Sequence, residues 1–116
     1  MEVDWYKCQG NIWCELNKID ADHKYLKGVD GIMIIWSGQE KSIIKIDRGK
    51  IGNLIKENKA DIAIQAFAHL GLYVTWTDDV PMLKKGNVYS YLVGKLKPKF
   101  LNEDALKSPV EVNLPW

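Results

Sequence analysis

The sequence is poor in cysteine and histidine, and this shortage limits metal and redox chemistry. Its two cysteines, Cys8 and Cys14, are separated by five residues, which is wider than the two to four residues typical of zinc-binding pairs. His23 and His69 have no second histidine at ligand spacing. A structural zinc site is therefore not expected. The cysteines are predicted to be reduced and mostly buried thiols.

Arginine is almost absent as well. Arg48 is the only one, and lysine supplies the other basic residues. The planar guanidinium of arginine binds phosphate through two parallel hydrogen bonds, whereas the ammonium of lysine acts as a point charge. Any recognition of phosphate by this chain must therefore depend mainly on lysine.

Long hydrophobic runs are missing too. The longest, at residues 31–36 and 70–74, are far shorter than the roughly 20 residues that cross a bilayer. The first residues show no basic segment followed by an apolar one, as a secretory signal would. We expect a protein with no membrane partner and a cytoplasmic location.

The chain has 116 residues, of which 47% are hydrophobic and 27% charged. This composition predicts one globular domain over residues 1–116, with a core that requires neither metal nor disulfide. The turn residues divide it into short segments of alternating type. Strands are expected at 32–36, 42–46 and 72–77, helices from 50, over 61–69 and over 81–96, and an irregular strand within 11–19. This order predicts an α/β (α+β) domain, a small mixed sheet with helices packed against it.

Charge is unevenly distributed although the formal net charge is only +1. Residues 41–59 contain six basic and two acidic side chains, and residues 82–101 contain five lysines and no acid. If these stretches share one face, they suit a nucleic-acid phosphate backbone; if they lie apart, they are solvated surface. The candidate nucleic-acid-binding residues are Lys45, Arg48, Lys50, Lys56, Lys84 and Lys85.

The order and spacing of the segments from about residue 29 to 99 resemble the GIY-YIG nuclease superfamily. The resemblance depends on the hairpin that begins Gly31-Ile32-Met33, the strand that contains Lys45-Ile46-Asp47, the helix from Lys50, the strand at 72–77 and the helix that reaches Leu92. It leaves residues 1–28 as an extension and 100–116 as an irregular tail. Members of that family hydrolyse DNA phosphodiesters with one divalent metal, using tyrosines of the two triplets, a helical arginine and a metal-binding glutamate.

At the four positions that match this family's functional residues, the chain has Met33, Lys45, Leu54 and Tyr89. Methionine has no proton to transfer, and leucine cannot stabilise phosphate charge. No acidic residue occurs between 82 and 102 to hold the metal. Losing one such electrostatic group typically costs about 100-fold to 1000-fold in rate. The resemblance therefore implies a catalytically degenerate GIY-YIG-like domain without a cofactor, a nucleic-acid-binding or protein-interaction module.

Two alternatives stay open at this stage. One is a metal-dependent DNA endonuclease with a rearranged site, in which Glu40, Asp47 and Glu57 bind Mg²⁺ or Mn²⁺ beside Arg48. Against it, Asp47 is expected to form an ion pair with Lys45 or Arg48 or to be solvated. The other is an assembly module that oligomerises through exposed tryptophans and the tail. DNA, RNA and protein all remain possible partners.

Overall fold

The computed structural model describes residues 1–101 and 107–116. A four-stranded sheet with strand order β1-β4-β2-β3 forms the centre, and every pair of neighbouring strands is antiparallel. The strands are β1 (Cys14–Glu15), β2 (Asp30–Ser37), β3 (Ser42–Lys50) and β4 (Leu72–Thr77). The helices are α1 (Ile51–Ala60), α2 (Ile62–Gln65) and α3 (Lys85–Leu96). The predicted α+β class is confirmed, with an antiparallel rather than a mixed sheet.

Strand β2 lies inside the sheet and is covered on both faces. Its residues from Gly31 to Ser37 are all buried, as expected for a continuous apolar run with helices above and below it. Strand β3 pairs with β2 as a hairpin, and the register shifts between Ile35 and Trp36, which leaves a bulge at Ile44. The hairpin turn contains Lys41 with a positive φ of 55°. Strand β3 thus forms one edge of the sheet.

The side chains of β2 alternate between two cores. The first core lies under α1 and α2 and includes Met33, Ile35, Ile51 and Leu54. The second core lies under α3 and includes Ile34 and residues from both ends of the chain. Its buried members are Val3, Ile32, Ile34, Trp36, Ile46, Val80, Val88, Tyr89, Leu92 and Val112. Helices therefore cover both faces of the sheet, α1 and α2 on one face and α3 on the other.

Several predicted boundaries change in the structure. The strand expected within 11–19 is limited to Cys14–Glu15. The predicted helix over 81–96 begins as a 3-10 turn at Met82–Lys84 before α3. The irregular tail packs back through Val112, while its segment 102–106 lies outside the described residues. No helix in the described part of the chain has the length and apolar character to span a bilayer.

The prediction of reduced thiols is wrong, because Cys8 and Cys14 form a disulfide with a Cα–Cα distance of 5.1 Å. A tight turn brings the two cysteines together. Gly10 and Asn11 both adopt positive φ, and the Cys8 amide donates a hydrogen bond to the Ile12 carbonyl at 2.8 Å. The spacing of the two cysteines argued against a zinc site. It did not show whether the chain reverses direction between them, and that turn is what brings the two sulfurs together.

Removal of this disulfide is expected to lower the free energy of unfolding by about 2 kcal/mol. Without the cross-link, the unfolded chain regains the conformational entropy that closing this short loop had removed. Urea unfolding of the oxidised protein and of a Cys8→Ala/Cys14→Ala variant measures the difference. Reductant should lower the stability of the wild type by a similar amount and leave the variant unchanged. Equal midpoints for oxidised wild type and variant would contradict this expectation.

Candidate functional site

Three of the four positions that match the GIY-YIG motif come together on the α1 face of the sheet. Met33 projects from β2 and Leu54 from α1 into the first core. Lys45 of β3 reaches the same face, where it contacts Asn58 of α1. Tyr89 lies on the opposite face, in the second core under α3. The structure therefore does not gather the four positions into one open site.

Met33 and Leu54 fill space where the resemblance expects a tyrosine and an arginine. Both are buried in the first core, and Met33 has no solvent exposure. Thioether and alkyl groups can neither move a proton nor stabilise an oxyanion. These two positions contribute packing.

Lys45 belongs to a buried polar network beside them. Its ammonium lies 3.4 Å from Asp47 Oδ2 and donates a hydrogen bond to Asn58 Oδ1 at 3.2 Å. Asn58 Nδ2 donates to Asp47 Oδ2 at 3.0 Å and to the Leu54 carbonyl at 2.8 Å. Because charge without a partner is costly to bury, this closed arrangement is what allows Lys45 and Asp47 to lie inside the domain. The expectation that Asp47 pairs with Lys45 is confirmed.

The network follows from two periodicities in the chain. Lys45 and Asp47 alternate with Ile46 along β3, so both face α1 while Ile46 enters the second core. Asn58 lies seven residues after Ile51 and shares the buried side of α1. Sequence reasoning did not single out Asn58. A polar residue at an apolar position of an amphipathic helix was the available signal, since such a residue needs a buried partner.

Tyr89 is the residue that the resemblance places about where a metal-binding glutamate is expected. Its side chain is fully buried in the second core, and the guanidinium of Arg48 lies 5.6 Å from its ring centroid. Arg48 is half-buried and also lies against Gly86, where an added Cβ would come within 2.8 Å of Arg48 Nη1. The single arginine of the chain is thus held against α3, with only part of it open to solvent.

The rearranged metal site of the endonuclease alternative is not assembled in the described residues. Asp47 is buried in its network, Glu40 is exposed in the turn before β3, and Glu57 is exposed on α1. Within residues 1–101 and 107–116, no group of three histidine, cysteine, aspartate or glutamate side chains is placed to hold a metal ion. The geometry offers no support for hydrolysis at this place.

Apart from the half-buried Arg48, the predicted nucleic-acid-binding residues divide into two groups. Lys45 is buried, Lys56 forms an ion pair with Asp22, and Lys85 forms one with Asp30. Lys50 and Lys84 are exposed. Four further exposed lysines, Lys41, Lys95, Lys97 and Lys99, belong to the two basic stretches but were not among the candidates. The candidate set therefore contained only some of the exposed lysines of the two basic stretches.

The two basic stretches lie side by side in the structure. Helix α3 packs along β3, with Arg48 over Tyr89 near one end. At the other end, the Lys99 amide donates a hydrogen bond to the Ile43 carbonyl at 3.1 Å. The backbone of Phe100 forms an isolated parallel β-bridge with Lys45. We call this region the β3–α3 edge. Its exposed lysines are Lys41, Lys50, Lys84, Lys95, Lys97 and Lys99.

Exposed carboxylates lie where the N-terminal arm meets the end of β4. Asp4, Asp78 and Asp79 are all exposed there. The Tyr6 hydroxyl donates to Asp78 Oδ1 at 3.0 Å. This hydrogen bond, together with partial burial and the nearby carboxylates, raises the pKa of Tyr6 above its usual value. Asp78 and Asp79 directly precede the turn that leads into α3, so these carboxylates lie close to one end of the β3–α3 edge.

The assembly alternative depends on exposed tryptophans. Trp36 and Trp76 are buried, Trp5 and Trp13 are half-buried, and Trp116 is 56% exposed. The Trp116 ring packs against Trp36 and Trp13, with centroid distances of 4.8 and 6.3 Å. Aromatic packing thus accounts for most of this surface, and self-association stays a prediction.

Comparison of the chain with protein-family models, with curated proteins and with solved structures finds no match. The similarity to GIY-YIG nucleases therefore depends on the order and spacing of the segments alone, and it enters the functional argument only as a proposal.

Proposed function

We propose that this domain is a non-catalytic, GIY-YIG-like module that binds the phosphate backbone of a nucleic acid through the β3–α3 edge. The observation that carries the proposal is the packing of α3 along β3, which joins two basic stretches into one surface. The surface has six exposed lysines at four places, the β3 turn, the end of β3 and each end of α3.

The dimensions of the edge suit an extended polyanion. Helix α3 has 12 residues, which corresponds to about 18 Å at 1.5 Å per residue. Lysines beyond both of its ends can therefore contact phosphates several nucleotides apart. A small anion such as free phosphate would contact only one end of such a surface, so the geometry favours an extended polyanion.

Binding without hydrolysis follows from the motif positions. Met33 and Leu54 are packed in the first core, and Tyr89 is buried on the other face of the sheet. The Lys45 ammonium is bound within its buried polar network. Phosphodiester hydrolysis requires a metal held by hard oxygen ligands and a group that stabilises the developing charge. The described residues supply neither at these positions.

Substitution of Lys41, Lys95, Lys97 and Lys99 together by glutamine is expected to weaken binding to a 20-base-pair duplex by at least about 100-fold at low salt. Each lost phosphate contact removes about one unit from the slope of log affinity against log salt. Fluorescence anisotropy over a salt series measures both quantities. RNA and single-stranded DNA of the same sequence serve as parallel substrates.

The matched control changes four exposed lysines elsewhere, Lys7, Lys18, Lys24 and Lys27, to glutamine. It removes the same net charge and should retain most of the affinity and slope. Equal losses in both variants would reject the β3–α3 edge as the binding surface. Plasmid incubated with wild type and Mg²⁺ or Mn²⁺ should stay intact, and metal-dependent nicking would overturn the non-catalytic part of the proposal. Failure to bind any nucleic acid would reject it entirely and favour a protein partner.

A further inference from the structure

Two large apolar side chains protrude next to the β3–α3 edge. Met82 is 81% exposed and Leu83 is 93% exposed, in the 3-10 turn that precedes α3. Leu83 is the most exposed large hydrophobic residue in the described part of the chain. Neighbouring exposed apolar residues on a basic surface are typical of contact sites rather than of solvated surface.

The backbone holds this pair in a fixed position. Val80 is buried in the second core and holds the chain in place just before the turn. Pro81 restricts φ at the start of the turn. The Lys84 amide donates to the Pro81 carbonyl at 2.9 Å, and the Lys85 amide then donates to the Met82 carbonyl as the chain enters α3. The pair is therefore presented by ordered backbone, which lowers the conformational entropy lost on insertion.

Basic side chains lie near the pair, together with the carboxylates of Asp30, Asp78 and Asp79. Lys84 follows directly and is exposed. Lys50 is the register partner of Asp30, whose carboxylate accepts a hydrogen bond from the Lys85 ammonium. The nearby acids, Asp78 and Asp79, are bound to the N-terminal arm, through the Tyr6 hydroxyl and the Asp4 amide respectively. A polyanion lying on the exposed lysines would thus bring its bases against Met82 and Leu83.

We propose that Met82 and Leu83 form a wedge that inserts between stacked base pairs of a duplex, an inference that rests on the proposed binding of nucleic acid by the β3–α3 edge. Apolar side chains inserted from a protein surface partly unstack a base step and kink the duplex. Pyrimidine–purine steps such as TA yield most easily to this deformation. The wedge would therefore make the edge prefer duplex DNA with flexible steps, without any hydrogen bond to a base.

The test uses the full chain and a duplex that carries 2-aminopurine at a central TA step, since this base fluoresces more when it is unstacked. Wild type should raise the fluorescence on binding, and it should prefer this duplex about fivefold or more over one with a central GG step. A Met82→Ser/Leu83→Ser variant should bind with an unchanged salt slope but without the fluorescence rise or the preference. Ile62 is 88% exposed on α2, so Ile62→Ser is the matched control and should behave as wild type.

The outcomes separate this inference from the function on which it rests. Salt-dependent binding by wild type with no fluorescence rise would reject the wedge and leave the binding module intact. A rise that persists in the double variant would also reject it. Absence of duplex binding by wild type would reject both proposals. Binding to anionic phosphatidylserine vesicles that is lost in the double variant, without DNA binding, would instead assign the pair to a membrane surface and overturn the wedge.

Discussion

Replacement of Asp47 by alanine is expected to lower the free energy of unfolding by about 3 kcal/mol. The change leaves the Lys45 ammonium, which lies 3.4 Å from the Asp47 carboxylate, without its buried counter-charge. It also removes the acceptor of one Asn58 amide hydrogen. The loss falls at the lower end of the range for a broken buried pair because Lys45 retains slight contact with solvent. Urea unfolding followed by circular dichroism measures the change.

Two further variants show whether the loss comes from the broken pair. Asp22→Ala removes an exposed carboxylate that pairs with Lys56, and it should cost less than about 1 kcal/mol. Lys45→Met combined with Asp47→Leu and Asn58→Leu removes both charges and the buried amide between them, and it should recover most of the stability lost in Asp47→Ala. A triple variant as unstable as Asp47→Ala would show that packing, and not the unpaired charge, causes the loss.

Substitution of Gly31 by alanine should also cost about 3 kcal/mol, near the upper end of the usual effect of overpacking. Gly31 begins the triplet that resembles GIY, and its partner strand lies very close. A Cβ on Gly31 would lie 1.9 Å from the Thr77 carbonyl oxygen, so β2 and β4 would have to separate. Because the obstacle is backbone, no side-chain rotation relieves it. The glycine is thus required by the sheet itself, whatever the domain binds.

Gly94→Ala is the matched control for this prediction. Gly94 lies in α3, and a Cβ there would meet nothing within 4 Å. Alanine has the higher helix propensity, so the variant should gain about 0.5–1 kcal/mol. The midpoints of thermal and urea unfolding should therefore fall for Gly31→Ala and rise for Gly94→Ala. A Gly31→Ala protein as stable as wild type would mean that the two strands can separate without loss.

Local pattern predicts the elements of this fold well where a segment has one clear periodicity. Strand β4 occurs at Leu72–Thr77 as predicted, because every residue there is apolar, aromatic or β-branched. The helical spacing of Ile51, Leu54 and Ile55 likewise predicts the buried face of α1. These properties depend on neighbours along the chain, which the sequence contains directly.

The candidate surface could be predicted only in part. The two basic stretches are visible in the sequence, but their contact depends on α3 packing along β3. The same packing decides which lysines are available. In the sequence, Lys45 is one more basic residue of its stretch. In the structure it is buried, with a hydrogen-bond partner, Asn58, on another element.

The sequence by itself determined most of the strands and helices and the uneven distribution of charge along the chain, because each is a property of residue type and local spacing. Only the tertiary structure decided the Cys8–Cys14 disulfide, the burial of Lys45 and Asp47, and the contact between β3 and the segment that contains α3. The physical reason is that burial and pairing depend on distances between residues that are separate in the chain. Those distances are set when the helices close over both faces of the sheet.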